Sequence, residues 1–303
     1  MSQPKHIGIK AFIVTFLFSM AVLGLISSGI ADLTGLFTPV DCSQQSVAGE
    51  PEYQPVSEDN LTLLLMCGED DVKSPDRFTL LRFCPEERVI RFVPLPPELE
   101  ATVNIKTGTL SQLYEYGGVD MVCAGVQNAF FIQVDRYIKC NEKALADLID
   151  QVGGIEYRVE QTVEYKDETG ESVRLVEGLQ LLGGNKVIDY WHSPLMVELS
   201  EEARLKKQAA FLEAGLEQRF SEGILSRTDD LFDQLSNSMQ TNLTNYDYTV
   251  RKEAIRFLAR IKEEKVTCQQ LAGSYREEKK TKIFIPSSEG KAMVQGWFEA
   301  LEE

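Results

Sequence analysis

Histidine is nearly missing from this chain: only His6 and His192 occur in 303 residues. That scarcity argues against a histidine-rich metal site and against Ser-His-Asp or Cys-His machinery, because His192 would be the one base outside the N-terminus. No C-x-x-C spacing occurs among the six cysteines (Cys42, Cys67, Cys84, Cys123, Cys140 and Cys268), so neither zinc nor thioredoxin-like chemistry is suggested. Basic excess is also lacking. With 31 Lys+Arg against 47 Asp+Glu, the net charge is −16, the wrong sign for replacing counterions on nucleic-acid phosphates. No internal repeat is visible. What is present is apolar material, 43% of residues, enough for a sizeable core without metal or disulfide staples.

Charge is absent from one long run, Ala11 to Ala31. About 20 apolar residues cross a ~30 Å hydrocarbon layer. Lys5 and Lys10 precede the run and Asp32 follows it, so the N-terminus is expected to stay cytoplasmic and the rest to lie outside, as a single-pass membrane protein. A secretory signal cleaved near Gly29-Ile30-Ala31 is the competing reading, but signal cores usually span about 7–15 residues. The first 31 residues hold two lysines and no acid, which leaves the exported part still more negative. An anion site there must be a local cationic pocket. The domain plan is a tail (1–10), an anchor (11–31), a tether (32–59) and a folded domain (60–303). The tether assignment rests on Pro39, Pro51 and Pro55 among small polar residues. An even cysteine count outside the cytoplasm permits one or two disulfides, with connectivity open. Cys67, Cys84 and Cys123 sit in apolar runs and read as small core residues.

Within the domain, residues 61–66 form an apolar run closed by Gly68-Glu69-Asp70-Asp71, the pattern of a strand buried on both faces. Residues 78–83 and 88–93, joined by Cys84-Pro85-Glu86-Glu87, predict a hairpin ended by Pro94, Pro96 and Pro97. Helical spacing covers 119–129, a strand 130–138, and an amphipathic helix 144–152 capped by Asn141 and closed by Gly153-Gly154. A strand over 155–159, helices over 200–220 and 250–261, a short strand over 282–285 and a last helix complete the pattern. The fold expected is α/β (α+β), a mixed central sheet with helices on both sides.

The order of these landmarks resembles the LytR-CpsA-Psr family of bacterial envelope proteins, from about Asn60 to the C-terminus. The landmarks are residues 64–70 (LLMCGED), Thr79, Leu95-Pro96, residues 113–118 (LYEYGG), residues 145–155 (LADLIDQVGGI), residues 177–184 (EGLQLLGG) followed by Tyr190, and residues 204–208 (RLKKQ). Residues 145–155, matching a helix that ends in Asp-x-x-Gly-Gly, are the most specific. The resemblance implies a membrane-anchored protein that moves phosphoglycans from polyprenyl pyrophosphate to peptidoglycan. It also implies Mg²⁺ held by carboxylates, arginines clamping the pyrophosphate and an apolar tunnel for the prenyl chain.

Several site positions depart from the family pattern. Its Arg-x-Asp-Thr reads Asp76-Arg77-Phe78-Thr79, its Pro-Arg-Asp-Thr reads Pro96-Pro97-Glu98-Leu99, and its Tyr-x-Arg-x-Arg reads Tyr190-Trp191-His192-Ser193-Pro194. Each lost charge-stabilising donor costs about 10²–10³ in rate. By the resemblance, Asp70 and Arg204 are the catalytic candidates, Asp70 and Asp76 the metal ligands, and Arg77, Tyr190, His192, Lys207 and Gln208 the substrate contacts. Ordinary readings stand beside these: Asp70 as a turn cap, Asp76 and Arg77 as a loop pair, Glu98 as the first turn of a helix, and Glu201-Glu202 as a solvated face.

Three readings follow. The first is a degenerate, non-catalytic envelope protein that binds polyprenyl-phosphate-linked glycans or partner envelope proteins. The second is an active Mg²⁺-dependent phosphotransferase with a rearranged site. The third is a surface interaction protein whose pocket is filled by its own side chains, among them Phe78, Trp191 and Pro97. No nucleic-acid partner is expected.

Overall fold

Side chains alternate faces along a strand, so an unbroken apolar run needs cover on both sides. Leu61–Gly68 (β1) has it: Leu64 and Met66 enter one core, while Leu61, Leu63 and Leu65 enter another on the opposite face. The computed structural model describes residues 53–70, 73–167, 169–278 and 280–298. These lie in one compact unit, Tyr53–Glu303. The expected tail, the anchor at 11–31 and most of the tether fall outside the described residues, and no helix among the described residues is long and apolar enough to cross a membrane. The end of the stretch read as tether is packed. The Tyr53 ring meets Phe257 edge-on, and Arg251 donates to the carbonyls of Glu58, Asp59 and Asn60.

Arg77–Cys84 (β2) and Val89–Leu95 (β3) form the expected antiparallel hairpin. Glu100–Val103 (β4) and Lys106–Thr109 (β5) pair next, and Leu110–Phe130 (α1) follows. This helix starts well before the expected 119, behind a Thr109–Gln112 capping box. Gly117 and Gly118 interrupt it, Gly118 at φ 64, and the break conceals the first half's period. The strand expected over 130–138 is displaced. Phe130 closes α1, Phe131 turns left-handed, and Arg136–Asn141 (β6) is the strand.

Asn141 then caps Glu142–Gln151 (α2), its Oδ1 accepting from the Ala144 N–H at 2.7 Å. Ile155–Val159 (β7), Val163–Lys166 (β8), Ser172–Leu175 (β9) and Gly178–Leu182 (β10) build two small hairpin-like sheets. Gly184–His192 (α3), Pro194–Val197 (α4), Glu201–Arg219 (α5) and Thr228–Ser238 (α6) follow. Gln240–Thr241 (β11), Asn245–Ala259 (α7), Val266–Cys268 (β12), Gly273–Glu278 (β13), Thr281–Pro286 (β14) and Ser288–Trp297 (α8) end the described chain.

The main sheet has the order β11-β6-β1-β2-β3-β12, with β6 parallel to β1 and β12 parallel to β3. Side chains of α1 and α8 cover one face, and those of α5 and α7 cover the other. The mixed sheet between helices is therefore as expected.

Two of the family-like motifs lock onto each other. A Cβ on Gly184 would stand 2.1 Å from the Ala146 carbonyl oxygen, so only glycine lets α3 start against α2. Asp150 of the Asp-x-x-Gly-Gly segment accepts the Gly184 N–H at 2.7 Å. That aspartate is a structural latch between two helices. None of the five described cysteines is in a disulfide, and Cys42 lies outside the described residues.

Candidate functional site

Strand direction gathers the polar candidates. Because β3 and β6 run parallel to β1 and β2 runs against them, the C-terminal ends of β1, β3 and β6 and the start of β2 share one edge of the sheet. From that edge emerge Asp70, Glu98, Glu142 and Arg77. The carboxyl ends of strands are where open α/β sheets usually take ligands.

Arg77 opens β2 with its side chain only 12% exposed. Its guanidinium contacts the Glu142 carboxylate and stacks over the Trp191 ring, 4.9 Å from the centroid. Its Nε lies 3.0 Å from Asp76 Oδ1 yet out of hydrogen-bond alignment, so this N–H is buried without an acceptor. Glu142, the first residue of α2, is 10% exposed, and its other oxygen lies 2.8 Å from His192 Nε2. Burial alone would push the Glu142 carboxyl up. The His192 hydrogen bond and the Arg77 charge outweigh it and hold the group below the usual carboxylate range. One carboxylate thus ties together two expected substrate contacts, Arg77 and His192.

A second group forms where β3 gives way to a turn. Glu98 lies in that turn, not in a helix as one sequence reading had it. Its Oε2 is buried without a partner, and burial pushes its carboxyl up, with Glu201 adding to the effect and Lys282 and Arg204 opposing it. The Tyr275 hydroxyl is also buried and unpartnered, and burial followed by Glu98 and Glu201 pushes it up to about 12. Arg204, one turn into α5, is paired with Glu201. Lys207, farther along, is paired with Glu160.

The remaining expected residues behave differently. Asp70 Oδ1 accepts from the Lys73 backbone N–H at 2.7 Å, which is the turn-capping role. Asp76 is largely exposed, and its carboxylate leans on Arg77. Tyr190 is 1% exposed and packs on Tyr157 inside a core with Val187 and Phe211, so its ring offers no contact surface to a ligand. Gln208 is half-buried on α5. Phe78, at the position of the expected metal-binding aspartate, is 1% exposed and belongs to the core between sheet and α1.

Sequence reasoning did not single out Glu142, Glu160 or Glu201 as partners. An acid in the first turn of a helix is commonplace, and that is how Glu142 and Glu201 read along the chain.

The Mg²⁺ implied by the resemblance finds a poor donor set. Among the described residues no three ligating side chains converge, and the Asp76 carboxylate already faces a guanidinium. The described surface carries cavities of about 320 Å³ beside Glu217, Ser221 and Arg260, and of about 300 Å³ beside Arg82, Arg136 and Arg251. Neither is lined by Asp70, Arg77 or Arg204. Chemically, the edge holds cations that are already neutralised, beside a protonation-prone Glu98.

Comparison with known proteins sets this geometry in a family. A segment of 179 residues is 24% identical to the polyisoprenyl-teichoic acid--peptidoglycan teichoic acid transferase TagU of Bacillus anthracis, covering 58% of this chain and 57% of that one. Over 218 residues it is 25% identical to the corresponding transferase TagT of Bacillus subtilis, covering 67% and 66%. The matches to these curated relatives thus span somewhat more than half their length. The crystal structure of B. subtilis TagV superposes with a TM-score of 0.66 at 18% identity, covering 80% of this chain and 96% of that one, and this shows a shared fold. The family model described as the LytR_cpsA_psr family matches residues 47–296, and the chain belongs to that LytR-CpsA-Psr family.

Proposed function

We propose that this chain is a membrane-anchored, extracytoplasmic member of its family that serves cell-envelope glycopolymer assembly by binding polyprenyl-phosphate-linked glycan without transferring it. The observation that carries the reading is the state of the cations: Arg77 is held by Glu142, Arg204 by Glu201 and Lys207 by Glu160. A diphosphate gripped for transfer needs guanidinium forks aimed at its oxygens. Here both guanidinium forks and the Lys207 ammonium face carboxylates of the same chain, so an incoming anion must displace a partner before it gains a contact. His192 stands where the family motif has an arginine, and its imidazole is engaged by Glu142. The activity for which TagU is named, teichoic acid transfer from a polyisoprenyl carrier to peptidoglycan, supports a glycopolymer ligand here.

The test uses the full chain in lipid nanodiscs with a polyprenyl-diphosphate-linked glycan, with and without Mg²⁺, and B. subtilis TagT as the transferring control. Saturable binding with no glycan moved to peptidoglycan is the expected result. Transfer at the control's rate, abolished by Asp70→Asn, would instead establish a rearranged active enzyme using Asp70 and Asp76 for metal. One observation favours a further reading, an envelope interaction protein with no lipid pocket: Phe78 is sealed in the core where the family's metal ligand is expected. Absence of saturable binding to the glycolipid would decide for it.

A further inference from the structure

Three residues stand in a row across three adjacent strands directly beneath the candidate site. In the β1–β2 register Cys67 faces Arg77, and in the β1–β6 register the same Cys67 faces Cys140. The order across the sheet is therefore Arg77, Cys67, Cys140. Both cysteines belong to one small apolar cluster with Ile138, Ala144, Leu145, Leu148 and Met239, so their side chains share a face. The two thiols are hydrogen-bonded to each other. Were Cys67 a core residue alone, as its apolar run reads, its opposition to Cys140 would be incidental.

We propose that Cys67 and Cys140 are a redox-active dithiol that closes to a disulfide across β1 and β6. Facing residues on neighbouring strands stand roughly 4.8 Å apart, inside the range of about 4.4–6.8 Å of Cα separation that a disulfide spans. Cys67 is the half-buried member and Cys140 the buried one, which assigns the order of events. The Cys67 thiolate attacks one sulfur of a low-molecular-weight disulfide, forming a mixed disulfide and releasing the first small thiol. The Cys140 thiolate then attacks Cys67 Sγ and expels the second. Two thiol protons and two electrons pass to the small disulfide, which leaves as two thiols.

Three features give the pair a place in the molecule. The hydrogen bond with Cys140 and burial hold the Cys67 thiol well above the usual thiol range, and the facing Arg77 charge offsets only part of this, so exchange at Cys67 is slow and selective rather than that of an activated thiolate. Cys140 lies two residues before Glu142, the carboxylate that holds Arg77. Closure therefore fastens together the two strand ends from which the candidate site emerges. The proposal is independent of whether the protein binds or transfers glycan.

The experiment equilibrates the full chain in oxidised and reduced glutathione, traps free thiols with an alkylating agent and maps the peptides by mass. Expected are a Cys67–Cys140 linked peptide lighter by two hydrogens, free Cys84, Cys123 and Cys268, and a higher melting temperature for the oxidised form. Cys67→Ala and Cys140→Ala should each abolish the link without creating another, and the wild-type map stands if either variant misfolds. Alkylation of both thiols at the most oxidising ratio would overturn the proposal. So would a link from either cysteine to a different one, or glutathione retained on Cys67 without closure.

Discussion

Replacing Glu142 by Gln tests the ion-pair reading most sharply, because one carboxylate serves both Arg77 and His192. Glu142 and Arg77 are 10% and 12% exposed, so solvent screens their interaction little. Removing one partner of a buried pair and stranding the other charge costs about 3–5 kcal/mol. Arg77 keeps the Asp76 carboxylate nearby and the Trp191 ring face, and glutamine keeps one hydrogen-bond acceptor, so the expected loss is smaller, about 2 kcal/mol. The pH dependence carries the signature. The folded-state pKa of Glu142 is depressed below the ordinary glutamate value of 4.5, so its contribution is fully present above about that pH and fades as pH falls through the folded value. Urea unfolding of both proteins at neutral pH and down a series below pH 4.5 reads this directly. The wild type should lose its advantage over Glu142→Gln as the acid is protonated. Equal stability at neutral pH, or a gap that persists unchanged into acid, would refute the pairing as the reason these side chains are held.

Other outcomes follow from packing and charge elsewhere. Gly184→Ala places a methyl against the Ala146 carbonyl and should cost about 1–3 kcal/mol in chemical denaturation, with α2 or α3 forced to shift. Asp247 is 5% exposed and accepts two hydrogen bonds from Arg136 at 2.9 Å each. Burial opposes its ionisation, but the hydrogen bonds from Arg136 and Thr244 prevail and lower it from 3.8 to about 2. Its stabilisation should be intact above pH 3.8 and be lost as pH falls towards 2, and Asp247→Asn should remove that dependence from acid melting curves. Phe78→Ala empties a site in the core and should lower stability by about 3–5 kcal/mol, whereas Phe78→Asp should prevent folding instead of restoring a metal site.

Much of the fold was readable along the chain, for local reasons. Residues 61–68 are apolar on both faces, and prolines and turn residues bracket the hairpin that follows, so three strands and their order are written in short-range pattern. Asn141 as a cap and the long helix from Glu201 are equally local signals. Where local pattern is interrupted, the reading slipped. Gly117–Gly118 breaks the period of α1, and the left-handed Phe131 ends it before a loop that looks apolar enough for a strand. The small strands from Val163 to Leu175 are short and largely exposed, and they leave little pattern to find. The site was legible only by half. Arg77 and Arg204 stand out by resemblance, but Arg77 meets Glu142 because β6 lies beside β1, which no local spacing encodes. Asp150 shows the reverse: its motif is conspicuous, and its role is to receive the Gly184 N–H and join two helices.

Glycan transfer itself measures the central claim most directly. The full chain in nanodiscs, given a polyprenyl-diphosphate-linked glycan, peptidoglycan and Mg²⁺, should leave the label on the lipid while TagT moves it under the same conditions. Labelled glycan appearing on peptidoglycan at the TagT rate would mean that Arg77, Arg204 and Lys207 release their carboxylates for substrate, and the account of a self-neutralised site would be wrong.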